Sequence, residues 1–502
     1  MRATTITAIG AVLLALAGTA HAAGTLRIGM QDDPDALDPA RGGTFAGRIV
    51  FASLCDKLVD LAPDLTFVPQ LATKWSWSPD ARSLTLTLRD GVTFQDGEKL
   101  DAEAVKTSLE RYRNAPESNR KGELKPVSAV EVIDPHTVRL DVSQPYAPLV
   151  AVLSDRSGMI ASPKALARLG KDFANGPVCA GPFRFTERVA QDHITLDRFP
   201  GYWNAGAIHV DRVVFRPIAD STVRLVNLQT GQLDMLEELA PTDAAKVEKD
   251  TKLKLQKALA LGYEAIDFNL GNGPASKTPF SQDARVRAAL EATIDRAALN
   301  KVVMDGRFVP DNQAELPDSP YFDKAFPVPG RDVAKAKALL KEAGVNRVTL
   351  ALRTLNTPAD TQIGEVLQSM AAEAGIEIKV VAGETNANIQ AMNSGDYQAN
   401  LVIWSGRSDP EFNIVQYLAC DGFQNWGKYC NPKFDAALTR SRGLTDVAQR
   451  APAYHEAVAV YQADKPLIFL FHMTWLYAVS DKVKGFTPVS DGLIRPQGLT
   501  IE

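Results

Sequence analysis

The residues with most chemistry to offer stand together in Trp404-Ser405-Gly406-Arg407-Ser408-Asp409-Pro410. They close an apolar run, residues 399–404, that reads as a strand, and ligands collect beyond the strand ends of open α/β sheets. The Trp404 indole offers a flat apolar face. The Arg407 guanidinium is a planar fork matched to a carboxylate, and Asp409 is an acceptor for an amino group. If Arg407 faces a cavity, a carboxylate is expected there; if Asp409 does, an amino group; and if both do, a zwitterion such as a peptide, an opine or an amino-acid derivative held at each end. This is the chemistry of binding. No GxSxG, HExxH, GxxxxGK[ST] or GxGxxG occurs in the chain. The six histidines (His21, His136, His193, His209, His455 and His472) never fall at the helical spacing of paired metal ligands. No catalytic residue, no metal site and no cofactor is expected.

The elements that position this stretch belong to a second lobe. From residue 285 onward, helical segments at 285–303, 332–343 and 361–374 alternate with apolar strands at 348–352, 376–381 and 399–404, the pattern of a βα layer with largely parallel strands. Before it comes a differently textured α/β part. A first strand at 25–29 leads into a proline-rich loop at 33–39. Period-two alternation at 84–88, Asp90-Gly91 and then residues 92–94 read as a hairpin. A helix at 101–113 is capped by Asp101, and strands at 127–133 and 137–142 flank Asp134-Pro135. Residues 269–274, with two glycines, are the expected crossover between lobes. The apolar strand 466–471 and a turn-rich tail at 485–498 end the chain, and a tail that returns to the first lobe makes a two-strand hinge.

Composition narrows the function further. A 502-residue chain exceeds one compact core. Its net charge of −5 with no basic tail excludes nucleic acid as a partner. The first residues have the layout of a cleavable leader: Arg2, an apolar stretch at 6–17, and Ala20-His21-Ala22 as a small-x-small cut site. A leader over 1–22 sends the mature chain to the periplasm, where disulfides form. Cys420 and Cys430 enclose a loop containing Gly422, Asn425 and Gly427, and a bridge between them is expected. Cys55 and Cys179 form a second bridge or remain buried thiols.

Several further stretches carry a resemblance. Pro69-Gln70-Leu71-Ala72-Thr73-Lys74-Trp75 is followed by Leu88-Arg89-Asp90-Gly91-Val92-Thr93-Phe94-Gln95-Asp96-Gly97, Gly181-Pro182-Phe183, Tyr202-Trp203 and Asn227-Leu228-Gln229-Thr230-Gly231-Gln232-Leu233-Asp234. With Val286-Arg287-Ala288-Ala289-Leu290 and Ile294-Asp295-Arg296, the ordered set resembles extracellular solute-binding protein family 5, the dipeptide, oligopeptide and nickel binding proteins of ABC importers. The resemblance implies an α/β, two-lobed periplasmic-binding-protein fold (type II, cluster C) with an extra subdomain inserted in lobe one. Lobe I is expected over 23–67, 179–270 and 478–502, the insert over 68–178, and lobe II over 271–477. It implies a monomeric, non-enzymatic receptor that encloses a small peptide-like or carboxylate-bearing ligand by hinge closure and delivers it to an ABC permease in the inner membrane. A secreted hydrolase such as a peptidase, or a binding protein serving a chemoreceptor, is the rival reading. In peptide-binding relatives a similar Trp-containing loop presents an aspartate to the ligand's ammonium group. Counting from the tryptophan places Arg407 there, a reversal of charge, whereas counting back from the proline places Asp409. Relatives also use an arginine after an earlier strand of lobe two, which falls near Arg353 or, without a gap, at Thr354. From lobe one, Asp33 and Phe45 lie in the region that lines the cleft.

Overall fold

The computed structural model describes residues 24–502, and the expected leader at 1–22 lies outside the described residues. One 11-stranded sheet organises the chain. At one end Thr25–Met30 lies parallel to Arg212–Pro217 and to Met235–Leu236, with His193–Arg198 and Phe183–Val189 added antiparallel at the edge. At the other end Val348–Leu355 runs parallel to Ile376–Gly383 and Ala399–Trp404. Two long antiparallel strands, Leu253–Phe268 and Leu467–Ser480, join the halves. The mixed α/β type follows, with the parallel strands grouped as the helix-strand alternation predicts.

The first long strand is buried on both faces over its second half. Ile266 and Phe268 face Val286, Leu290, Ile363 and Leu367, whereas Tyr263 and Ala265 face Ile414, Tyr417 and Tyr454. Both faces are covered, so even Glu264 and Asp267 in this stretch are buried. Its pairing with the second long strand is interrupted between Leu259 and Tyr263. That interruption, not residues 269–274, is where the ladder between the two halves breaks. Residues 269–274 sit at the far end of the strand, where the Asn269 amide donates to the Asn272 and Tyr397 carbonyls at 2.8 Å.

The segment inside the first half is a four-stranded antiparallel sheet, Ala72–Trp77, Ser83–Leu88, Thr137–Val142 and Val127–Asp134, covered by the helix Ala102–Asn114. It has its own core, built from Leu84, Leu86, Val105, Leu109, Val138 and Leu140. Asp101 caps the helix, accepting from the Ala104 N–H at 3.0 Å. The expected hairpin across Asp90-Gly91 does not form. Ser83–Leu88 pairs with the strand before it and with Thr137–Val142, and residue 92 instead accepts from the Leu100 N–H at 2.9 Å. The alternation marked the strand correctly, but its partners are set by burial of Leu84 and Leu86 against distant strands. The expected long helix at 285–303 is two helices, Ala284–Thr293 and Arg296–Val303, because Asp295 starts the second by accepting from the Ala298 N–H.

Both cysteine pairs are bridged: Cys420–Cys430 closes a separation of 10 residues and Cys55–Cys179 one of 124. The tail returns to the first half. Ala478 and Val479 pair with Leu236 and Met235, Tyr477 donates to the Gly492 carbonyl at 2.9 Å, and the Gly498 N–H donates to Ala207 at 2.8 Å.

Candidate functional site

Where the two halves meet, arginines and aromatics alternate. The helix Phe45–Leu54, capped by Thr44, carries Phe45 and Arg48 on successive turns of one face. Phe45 stacks on Trp475 of the second long strand with centroids 4.6 Å apart and planes 9° from parallel. The Arg48 guanidinium lies 5.7 Å from the centre of the Phe45 ring. From the opposite side comes the 404–407 loop, in which the Arg407 guanidinium lies 4.7 Å from the Trp404 ring centre.

Between the two guanidiniums stands one carboxylate. Asp155, which opens the short 3-10 helix Arg156–Gly158, has Oδ2 at 3.0 Å from an Arg48 Nη and at 3.2 Å from Arg407 Nε. Its Oδ1 accepts from the Arg156 backbone N–H at 2.7 Å. Burial pushes this carboxyl up, but Arg48, Arg407 and Arg156 outweigh burial and hold it well below the usual carboxylate range. Arg156 and Arg120 complete the group, both donating to the Gly42 carbonyl. Arg120 and Ser157 share Glu123. Four guanidiniums thus face two carboxylates, Asp155 and Glu123. The excess is felt at Arg407, where burial and then repulsion by Arg48 lower the guanidinium to about 10. Arg407 spends Nη1 on the Gly406 carbonyl at 2.7 Å and Nε on Asp155, and Nη2 makes no hydrogen bond among the described residues. Positive charge therefore outnumbers negative charge at this junction.

The loop that carries Arg407 is held from three sides. Asn413 accepts from Trp404 Nε1 at 3.0 Å and from the Arg407 N–H at 2.8 Å, and donates to Glu315 at 3.0 Å. Gly262 and Gly406 let the loop touch the broken rung of the long strand. A Cβ on Gly262 would lie 1.7 Å from the Trp404 carbonyl oxygen, and Gly406 has φ +82° with its Cβ position 2.3 Å from the Leu261 backbone.

The residues expected from the sequence divide into two groups. Trp404, Arg407 and Phe45 come together at this junction. Asp409 does not face it: both its oxygens take the Arg450 guanidinium, at 2.6 and 2.7 Å, and Oδ1 also caps the helix Glu411–Leu418. The two counts for that loop therefore separate physically, with Arg407 at the junction and Asp409 inside lobe-two packing. Asp33 accepts from Arg188 at 3.0 Å and from the Gln191 N–H at 3.1 Å, tying the hairpin Phe183–Arg198 to the loop after the first strand. Arg353 donates to Asn388 and to the Asp396 carbonyl, both at 3.3 Å, within its own half. Arg48, Asp155 and Trp475 were not anticipated. Each lies in an unremarkable local pattern, and only their tertiary approach to Arg407 and Phe45 reveals them.

A sheet crossed by two long strands, with a buried charged junction between its halves, defines the class of two-lobed solute receptors. The comparisons agree. Residues 66–425 match the model of bacterial extracellular solute-binding proteins, family 5. The chain belongs to this family, whose members serve ABC importers. It is 30% identical over 471 residues to the glutathione-binding protein GsiB of Pectobacterium atrosepticum, covering 91% of this chain and 90% of that one. Among solved structures, the PBP AgaA in complex with agropinic acid from A. tumefacien R10 superposes with a TM-score of 0.85 at 27% identity, over 95% of this chain and 99% of that chain. A dipeptide binding protein from Pseudoalteromonas sp. SM9913, in complex with Met-Leu, shares the fold with a TM-score of 0.87 at 22% identity, over 95% and 100%.

Proposed function

We propose that this solute-binding protein works in the periplasm as the receptor of an inner-membrane ABC permease, and that its ligand is a small peptide-like or opine-like acid whose carboxylate is received by Arg48 and Arg407. The observation that supports this most is the uncompensated positive charge of the Arg48–Asp155–Arg407 junction, flanked by the Phe45 and Trp404 rings. A bound carboxylate there completes the charge balance, and the two aromatic faces cover the ligand's apolar parts. Arg48 comes from one lobe and Arg407 from the other, so a ligand that touches both stabilises only the closed arrangement. The hinge is placed at the broken rungs 259–263 and the facing part of Leu467–Ser480. The names of two relatives support this ligand class: one is glutathione-binding and the other is in complex with agropinic acid.

Titration calorimetry with glutathione, Met-Leu and agropinic acid tests this. The wild type is expected to bind at least one of them, and Arg407→Ala and Arg48→Ala each to lose roughly 2 to 5 kcal/mol of that binding, the usual cost of truncating a buried charge pair. Wild-type affinity in both variants would remove the guanidinium pair from the site, and no binding by any of the three acids would sink the ligand class.

A further inference from the structure

The broken rung of the two long strands has a histidine lying against it. His472, on Leu467–Ser480, is the one buried histidine among the described residues and is 0% exposed. Its Nδ1 lies 2.9 Å from the Gly262 carbonyl oxygen, in the interrupted stretch of the ladder. Its Nε2 lies 3.2 Å from the Glu315 carbonyl oxygen and 3.5 Å from Oδ2 of Asp311. Oxygen acceptors thus face both ring nitrogens. A neutral imidazole has one N–H and one lone pair, so one of these buried carbonyls would meet a lone pair, whereas an imidazolium donates to both. A buried cation needs a counter-charge, and Asp311 stands where one is required. Its Oδ1 accepts from the Asn312 and Gln313 N–H groups at 2.6 and 3.2 Å, and Oδ2, the oxygen beside the ring, has no other hydrogen-bond partner.

The other titratable groups around the ring leave this pairing in place. The Glu315 carboxyl accepts from Asn413 at 3.0 Å and from the Tyr454 hydroxyl at 3.3 Å, and burial pushes it up to about 8, so it is largely uncharged near neutrality. Glu264, opposite Phe471 in the ladder, is pushed up by burial as well. Arg296, the cation nearest Asp311, spends Nε on the Phe469 carbonyl at 2.9 Å and Nη2 on Glu291 at 2.8 Å. Tyr263 and Tyr461 are buried phenols whose ionisation burial opposes. Two paths then lead from the ring to the 404–407 loop. Gly262 packs directly under the Trp404 carbonyl. Glu315 holds Asn413, which in turn accepts from Trp404 Nε1 and the Arg407 N–H.

We propose that His472 is an imidazolium in the native protein and a positioning residue for the Arg407 loop, holding the Gly262 rung and the 311–315 segment together through its two N–H groups. Loss of one ring proton as pH rises frees one of these carbonyls, slackens the loop and weakens ligand binding. The change in affinity rests on the receptor reading above; the charge of the ring does not.

The ring is read first, in the wild type, by long-range proton–nitrogen correlation spectra of protein labelled with nitrogen-15 histidine. An imidazolium gives two protonated nitrogens of similar shift, a neutral ring one protonated and one bare nitrogen widely separated, and His472 is recognised by ring N–H protons shielded from solvent exchange. Two protonated nitrogens are expected at neutral pH, and Asp311→Asn is expected to lower the pH at which the second proton leaves. A bare nitrogen on His472 at neutral pH in the wild type would overturn the proposal. Glutathione and Met-Leu are then titrated into the wild type and His472→Gln, at neutral pH and at the alkaline pH where the spectrum shows a neutral ring. The wild type is expected to bind about tenfold more tightly than the variant at neutral pH, and the gap to close once the ring is neutral. Ionisation of the probe is common to both proteins, so a gap that ignores the charge of the ring would overturn the positioning role. No binding of either probe to the wild type would overturn the ligand class proposed above, and the ring spectrum then decides the imidazolium by itself.

Discussion

Arg407 and Asp409 are two residues apart and were competing candidates of opposite charge, because a loop of uncertain length can be counted from either end. Their partners separate them. Arg450, in the helix Val447–Asp464, takes Asp409 into the core, while Asp155 draws Arg407 to the lobe junction. Neither partner has a local signature, so only the types of the junction residues Trp404, Arg407 and Phe45 were legible, and the carboxylate that organises them was not. Buried carboxyls elsewhere make a prediction at this scale. Burial pushes Asp267 up to about 8, partly offset by the Tyr397 hydroxyl, and Glu315 up to about 8; Asp56 and Glu411 rise to about 7 for the same reason. Between the unfolded carboxyl value of about 4 and these values the native state binds more protons than the unfolded one, so stability falls as pH rises. Asp155 and Asp491, held below their usual range, contribute above that value and are constant over this window. The thermal midpoint is therefore expected to be higher at pH 5.5 than at pH 8.5 in calorimetric scans, and the reverse order would contradict the burial of these groups as protonated acids.

At the level of elements, the parallel strands of the second lobe were legible from their apolar runs, whereas the break at Ile294-Asp295 that splits the expected 285–303 helix was not. Ala399–Trp404 matches its expected bounds, and Val348–Leu355 and Ile376–Gly383 only extend theirs. The pairing of Ser83–Leu88 was not legible, and the hairpin expected over 84–94 does not form, because strand pairing is decided by which surface buries Leu84 and Leu86. The two disulfides divide in the same way. Cys420–Cys430 lies within one short loop and was readable, whereas Cys55–Cys179 joins the end of the Phe45–Leu54 helix to the exit of the inserted subdomain. That long-range staple has the larger consequence. Closing a 124-residue loop restricts the unfolded chain by about 5 kcal/mol in the chain-entropy account, against about 3 for a 10-residue loop. Replacing Cys55 and Cys179 together by serine is expected to lower unfolding free energy in urea more than replacing Cys420 and Cys430, and it also loosens the helix that presents Phe45 and Arg48. Equal losses from the two double variants would show that strain or residual structure, and not loop closure, sets their contribution.

For the whole molecule, the decisive feature is that two long strands join the halves and the ladder between them is broken beside the 404–407 loop. The α/β two-lobed architecture was legible from the change of texture near residue 285 and from the family resemblance. The position of the break was not, since Ala260-Leu261-Gly262 carries no turn signal stronger than that of residues 269–274. Gly262 marks it physically: the Trp404 carbonyl occupies the space a side chain would need. In the proposed function, closure about this point brings Arg48 and Arg407 onto the same ligand, and a permease then reads the closed shape. Small-angle X-ray scattering of the wild type, with and without a saturating acid identified by calorimetry, tests that claim most directly. The account predicts a smaller radius of gyration with the acid bound and no such change in Arg407→Ala at the same concentration; an unchanged radius in the saturated wild type would contradict it.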